Sequence, residues 1–249
     1  AGLAIEDFIP VVAIYSTFLQ RAYDQILHDV CLQKLPVVFA LDRAGIVGED
    51  GATHQGIYDY SYLRSIPNIV VMAPADENEL QHMLKTAVEC KHPVSLRYPR
   101  GKGVGVPLED DLKLLAIGKG EVLKEGSDLA IFAIGSTVHP ALAAARRFEA
   151  DGVRIKVINA RFVKPLDVEL LAQTASQIKK ILTVEENVLQ GGFGSAVLEM
   201  LAEKNINNIQ VKRLGIPDEF VEHATQAELR EKYGLDEEGI FRSIREMLS

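Results

Sequence analysis

Arg43, Asp50 and His54 stand close together in Leu41–Gly56, LDRAGIVGEDGATHQG, among Gly45, Gly48, Gly51 and Gly56. A guanidinium matches phosphate or carboxylate with paired donors. An imidazole near a carboxylate is suited to moving a proton close to neutral pH. Glycines at this density let the backbone turn sharply and approach a ligand closely. Arg100, in Tyr98-Pro-Arg-Gly101, is a second guanidinium of the same kind. The same composition also suits a mobile surface loop, and each arginine has acidic neighbours to pair with. The positions of the surrounding elements decide in favour of a site.

Val11–Tyr15, Pro36–Leu41, Asn68–Met72 and Pro93–Arg97 are short, β-branched apolar runs that predict four buried strands. Thr17 and Gln20 have capping-box spacing and open a helix expected to run to about Leu32, with Leu19, Ala22, Tyr23, Ile26 and Val30 on its apolar face. Phe18 and Arg21 fall off that face. Asp76 and Glu79 cap a further helix carrying Leu80, Met83, Leu84, Ala87 and Val88. Strands alternating with helices imply a parallel sheet with right-handed crossovers. All its strands then end on one edge, where open α/β sheets bind ligands. Tyr15, Arg43 and Arg100 each sit at or just beyond such an end, so they are expected to converge.

Lys102–Ile117, rich in glycine and acidic residues, reads as a linker. A second alternation follows, with strands over Leu129–Ile134, Arg154–Ile158, Ile178–Val184 and Ile209–Leu214. The fold class is therefore α/β, with two doubly wound, parallel or mostly parallel sheet domains at 1–101 and 118–249. Gly191-Gly-Phe-Gly-Ser195 after a strand suggests a phosphate-binding turn. It is not G-x-G-x-x-G and comes late in its domain, so a tight strand-to-helix turn is the preferred reading. Glu185-Glu186-Asn187 just before it are expected on an exposed edge, against a partner domain. The histidines outside the central loop have no ligand spacing, and no metal site is expected on this chain.

The 249 residues are 47% apolar and 25% charged, enough for a substantial core. A net charge of −8 excludes a general nucleic-acid surface, which needs a basic face. Cys31 and Cys90 lack metal-ligand spacing, and free thiols in a cytoplasmic protein are expected. No apolar run approaches the ~20 residues of a membrane span. The chain opens without Met on Ala1-Gly-Leu-Ala4, which reads as the tail of an element begun upstream.

Tyr15-Ser-Thr-Phe-Leu-Gln-Arg-Ala-Tyr-Asp24, Asp42-Arg-Ala-Gly45, Asp50-Gly-Ala-Thr-His54, Arg97-Tyr-Pro-Arg-Gly101, Gly215-Ile-Pro-Asp-Glu-Phe220 and Tyr233-Gly-Leu-Asp236 together span the chain. In them it resembles the 1-deoxy-D-xylulose-5-phosphate synthase family of transketolase-like, thiamine-diphosphate-dependent enzymes. That family has a diphosphate-binding, a pyrimidine-binding and a C-terminal domain, and this chain is similar to the second and third. The resemblance implies condensation of pyruvate with D-glyceraldehyde 3-phosphate, with loss of carbon dioxide, by a homodimer serving isoprenoid and thiamine synthesis. It implies Phe18 against the cofactor's aminopyrimidine. Tyr15, Arg43 and Arg100 would hold the acceptor phosphate, with Arg21 close by, and Asp50 and His54 would serve proton transfer. The Gly-Asp-Gly motif and later Asn that hold magnesium and diphosphate are not found; Gly48-Glu-Asp-Gly51 is a false match. The glutamate that activates the aminopyrimidine is likewise expected upstream, and Glu6 is not its equivalent. The chain alone is thus expected to be inactive. Alternatives are the β-subunit of a 2-oxoacid dehydrogenase, or a split partner subunit completing another chain's site.

Overall fold

The computed structural model describes residues 1–249. The first half runs α1 (Gly2–Ile5), β1 (Val11–Tyr15), α2 (Ser16–Leu19), β2 (Val38–Asp42), α3 (Asp59–Arg64), β3 (Val70–Met72), α4 (Glu77–Glu89) and β4 (Val94–Arg97). After an extended stretch come β5 (Glu121–Lys124), β6 (Leu129–Ala133), α5 (Val138–Arg147), β7 (Ile155–Asn159), β8 (Phe162–Lys164) and α6 (Val168–Gln177). The chain ends with β9 (Lys180–Val188), α7 (Phe193–Glu203), β10 (Gln210–Ile216), α8 (Gln226–Tyr233) and α9 (Glu237–Leu248).

These strands form two five-stranded sheets, ordered β1-β2-β4-β3-β8 and β10-β9-β6-β7-β5. Each has four parallel strands and one antiparallel edge strand, as the α/β alternation predicts. β8 departs from the sequence reading: it lies in the second half but completes the first sheet, with Val71 opposite Lys164 and Met72 opposite Phe162. Phe162 is fully buried among Val38, Met72, Met83, Val94 and Leu96. A larger apolar cluster runs from Ile26, Leu41 and Tyr60 into Phe132, Ile158 and Phe193, so the halves share a core.

The helix expected over Thr17–Leu32 is broken. α2 ends at Leu19, a tight turn covers Gln20–Ala22, and a widened turn covers Gln25–Cys31. Thr17 does not cap it; its hydroxyl donates to Thr53 O at 2.8 Å, so the central loop takes the group that capping would need. Leu19, Ile26 and Val30 are buried as expected, while Tyr23 and Leu84 are exposed.

The stretch before β5 is extended and tied along α4. Glu77 accepts from Val104, Gly105 and Val106 N, Asn78 from Glu109 N, His82 Nδ1 from Lys113 N and Thr86 from Leu115 N. Successive polar side chains on one helix thus satisfy backbone donors that would otherwise need water.

Candidate functional site

Parallel register brings the site to one edge. Tyr15 lies opposite Asp42, and Leu41 opposite Arg97, so the exits of β1, β2 and β4 are level. Beyond β2, Gly45 and Gly56 exchange backbone hydrogen bonds of 2.6 and 2.8 Å, closing residues 45–56 into a loop. A Cβ on Gly56 would lie 2.3 Å from Arg43 O, so only glycine permits this closure. Inside, Gln55 accepts from Val47 N at 2.7 Å.

The closed loop presents its polar residues to the sheet edge. One Asp50 oxygen, Oδ2, accepts from Arg43 Nη1 at 2.7 Å and lies 3.6 Å from Arg100 Nη1. The two arginines therefore meet, as expected, around a single anionic oxygen. The Arg43 guanidinium covers the Tyr15 ring, 4.3 Å from its centroid. Tyr15 stacks on Phe18 at 5.3 Å, and His54 meets the Phe18 ring edge-on at 5.7 Å. Phe18 keeps 49% of its surface exposed. His54 Nδ1 is 2.9 Å from Thr53 Oγ1, and its Nε2 makes no hydrogen bond within the chain. Arg21 is exposed on the next turn and pairs with nothing. Tyr15, Phe18, Arg43, Asp50, His54 and Arg100 thus form one continuous cluster, with Arg21 outside its contacts.

The second half fixes this loop from behind. Gln226 donates to Ile46 O at 2.7 Å and to Arg100 O at 3.2 Å. Gln55 donates to Glu222 O at 3.3 Å. Glu186 accepts from Arg230 Nε at 2.7 Å and from Ser136 at 2.9 Å. Gly45 (φ 78°) packs so tightly that a Cβ there would lie 2.2 Å from Glu186 Oε2. A cavity of about 320 Å³ opens beside Arg100, lined also by Asp76, Tyr98, Lys102, Ser136, Gln226 and Arg230.

Glu185 and Glu186 are buried, not exposed on an edge. Glu185 accepts from Phe193 N at 2.6 Å and Gly194 N at 2.7 Å. The N–H groups at this helix start, where an external anion could bind, are thus taken by the chain's own Glu185 carboxyl, and Gly191–Gly194 is a strand-to-helix turn. Burial pushes the Glu185 carboxyl up to about 8, against those two N–H groups and against Arg97 and Arg213. Beneath the loop, Arg97 Nε lies 3.0 Å from Asp59 Oδ2 in an ion pair lacking aligned hydrogen-bond geometry. Arg97 also donates to Gly56 O and Glu186 O, at 3.1 and 3.2 Å. Burial pushes the Asp59 carboxyl up, opposed by Arg97.

Gln55 and Gln226 escaped sequence reasoning, while Arg97 was read only as a strand end and Glu186 only as an exposed edge residue. Thr225-x-x-Glu228 marks the start of α8 and forms a capping box. Nothing local reveals that Gln226 reaches a loop 180 positions earlier.

Two mostly parallel sheets, the first with a glycine-closed loop at its carboxyl edge and the second buttressing it, define a transketolase-type domain pair. Residues 1–104 match the family described as "Transketolase, pyrimidine binding domain", and residues 118–240 "Transketolase, C-terminal domain". A solved structure described as "Split gene transketolase, inactive beta4 tetramer" superposes with a TM-score of 0.89 at 36% identity, covering 99% of this chain and 78% of that one. The chain belongs to the transketolase family. It is 67% identical, over its whole length, to a 1-deoxy-D-xylulose-5-phosphate synthase of Syntrophus aciditrophicus (strain SB). It is 61% identical to 1-deoxy-D-xylulose-5-phosphate synthase 1 of Geobacter sulfurreducens, again over all 249 residues. It spans only 38% and 39% of the length of these two relatives.

Proposed function

We propose that this chain forms one wall of the active site of a 1-deoxy-D-xylulose-5-phosphate synthase, condensing pyruvate with D-glyceraldehyde 3-phosphate and releasing carbon dioxide. The observation that carries the reading is the sharing of Asp50 Oδ2 by Arg43 and Arg100. A phosphate, with more oxygens and more charge than one carboxylate, would compete for both guanidiniums. Arg21, one turn past Phe18, would add positive charge at longer range. The neutral Tyr15 ring orients Arg43 by lying beneath it.

The exposed Phe18 ring, backed by Tyr15, fits a flat heteroaromatic such as the aminopyrimidine of thiamine diphosphate. When bound, that cofactor supplies the electron sink for carbon–carbon chemistry. No group of metal ligands converges on this chain. Magnesium and the diphosphate would be held by residues of a diphosphate-binding domain outside it. His54, edge-on to Phe18 with Nε2 unpaired, stands where a proton could be passed to or from a carbonyl oxygen held over that ring. Displacing Asp50 from Arg43 would free its carboxylate to orient the imidazole or the acceptor. In this reading residues 1–101 are the pyrimidine-binding domain, 102–117 the connection and 118–249 the C-terminal domain, in a cytoplasmic homodimer.

A β-subunit of a 2-oxoacid dehydrogenase is less well supported, because paired arginines suit a phosphorylated acceptor. A split, separately encoded subunit is represented by the solved relative at 36% identity, against 67% for the first synthase. The test is to join the chain to a synthase diphosphate-binding domain and assay 1-deoxy-D-xylulose 5-phosphate from pyruvate and D-glyceraldehyde 3-phosphate. Product formation that needs both substrates is expected. Decarboxylation followed by transfer to lipoamide would instead indicate the dehydrogenase.

A further inference from the structure

The Gln226 side-chain amide is the one group in the second half that holds both segments carrying the site's arginines. It donates to Ile46 O, between Arg43 and Asp50, and to Arg100 O. Those segments leave different strands. Their nearest direct backbone tie is Ala44 N to Tyr98 O at 3.0 Å, back toward the sheet. Farther out, the Arg100 side chain reaches Val47 O only at 3.4 Å.

We infer that Gln226 is a positioning residue that sets the spacing of the Arg43 and Arg100 guanidiniums for a phosphate. The inference rests on the acceptor-phosphate reading above. Gln226 is itself well anchored. It opens α8 within the Thr225–Glu228 capping box, and one turn later Leu229 is buried and Arg230 pairs with Glu186. The loop lies directly on this helix start: a Cβ on Gly48 (φ 96°) would stand 3.0 Å from Ala224 O and 3.1 Å from Gln226 N. A neutral amide suits the task because it satisfies two carbonyls without adding charge beside two arginines and an aspartate. The spacing of a two-arginine clamp decides whether both forks reach one phosphate, so a small displacement costs binding of that group alone.

The test uses the complete enzyme with Gln226→Met, which keeps length but removes the donors, and Gln226→Asn, which keeps the amide but is one methylene shorter. Each is assayed with D-glyceraldehyde 3-phosphate and with unphosphorylated D-glyceraldehyde. For both variants, KM for the phosphorylated aldehyde is expected to rise about five- to tenfold, the scale of one or two neutral hydrogen bonds. Its kcat, the KM for pyruvate and turnover of D-glyceraldehyde should stay within about twofold. Equal losses with both aldehydes, no loss, or failure of both variants to fold would overturn the positioning role. Arg100→Ala serves as the control. If it shows no preference against the phosphorylated aldehyde, the acceptor-phosphate reading itself fails; if it does and the Gln226 variants do not, only this inference fails.

Discussion

Asp50 Oδ2 stands 3.6 Å from Arg100 Nη1, although the two residues leave different strands of the first sheet. Their side chains remain 34% and 38% exposed, so this contact adds little to folding stability. It instead marks a place where positive charge is held ready in water's reach.

Arg100→Ala should therefore leave folding almost unchanged and weaken only the grip on a phosphorylated acceptor. In the complete enzyme, KM for D-glyceraldehyde 3-phosphate should rise about ten- to hundredfold, the worth of a charge-assisted hydrogen bond of roughly 1.5–3 kcal/mol. Steady-state kinetics with each substrate varied in turn checks this. Losses of equal size for pyruvate would identify a structural arginine instead.

Arg97→Leu should behave in the opposite way. It strands the Asp59 carboxylate, whose side chain is 1% exposed, without its cation. Breaking one side of a buried pair costs about 3–5 kcal/mol. Urea unfolding should show that loss, and adding Asp59→Asn should recover part of it. A single variant as stable as the parent would mean Asp59 is already neutral.

Glu185 supplies a pH signature. Its carboxyl is raised from 4.5 to about 8 in the fold, so between those values the folded chain keeps a proton that the unfolded chain has released. Stability from this group is full below its unfolded value and is lost as pH rises toward about 8. Urea midpoints measured at about pH 5 and about pH 8 should fall with rising pH, and Glu185→Gln should flatten that fall. Parallel slopes for the two proteins would show that Glu185 ionises normally.

Phe18 and its neighbours should not hold thiamine diphosphate unaided. One stacked ring contributes about 1 kcal/mol, far below the several kcal/mol lost in immobilising a ligand. Calorimetry of material verified to begin at Ala1, with magnesium and thiamine diphosphate, should detect no micromolar binding. In the complete enzyme, Phe18→Ala should weaken cofactor affinity about fivefold while leaving the melting temperature unchanged. Tight binding to the isolated chain would show that the cofactor site has been misplaced.

Much of the first sheet and its rim was legible because hydrophobic periodicity and strand ends are local signals. Tyr15, Arg43 and Arg100 each sit at the close of an apolar run, and parallel topology does the rest. The break after Leu19 was not legible, because it arises where Thr17 turns to the Thr53 carbonyl. Glu185 and Glu186 were misread for a related reason. Two adjacent carboxylates look solvated until the α7 N-terminus, Ser136 and Arg230 are seen around them. β8, three residues long, carries no periodicity at all, and only the unfilled edge of β3 explains it.

That short strand has a consequence for synthesis on the ribosome. The first sheet cannot reach its final form when β4, the last of its strands in the first half, emerges, because β8 with Phe162 still lies some way behind. Until then β3 presents an unpaired edge beside a hole in its core, the kind of surface that recruits another nascent chain. The N-terminal half should consequently need shielding by a chaperone, or a short wait, before the polypeptide becomes safe from aggregation.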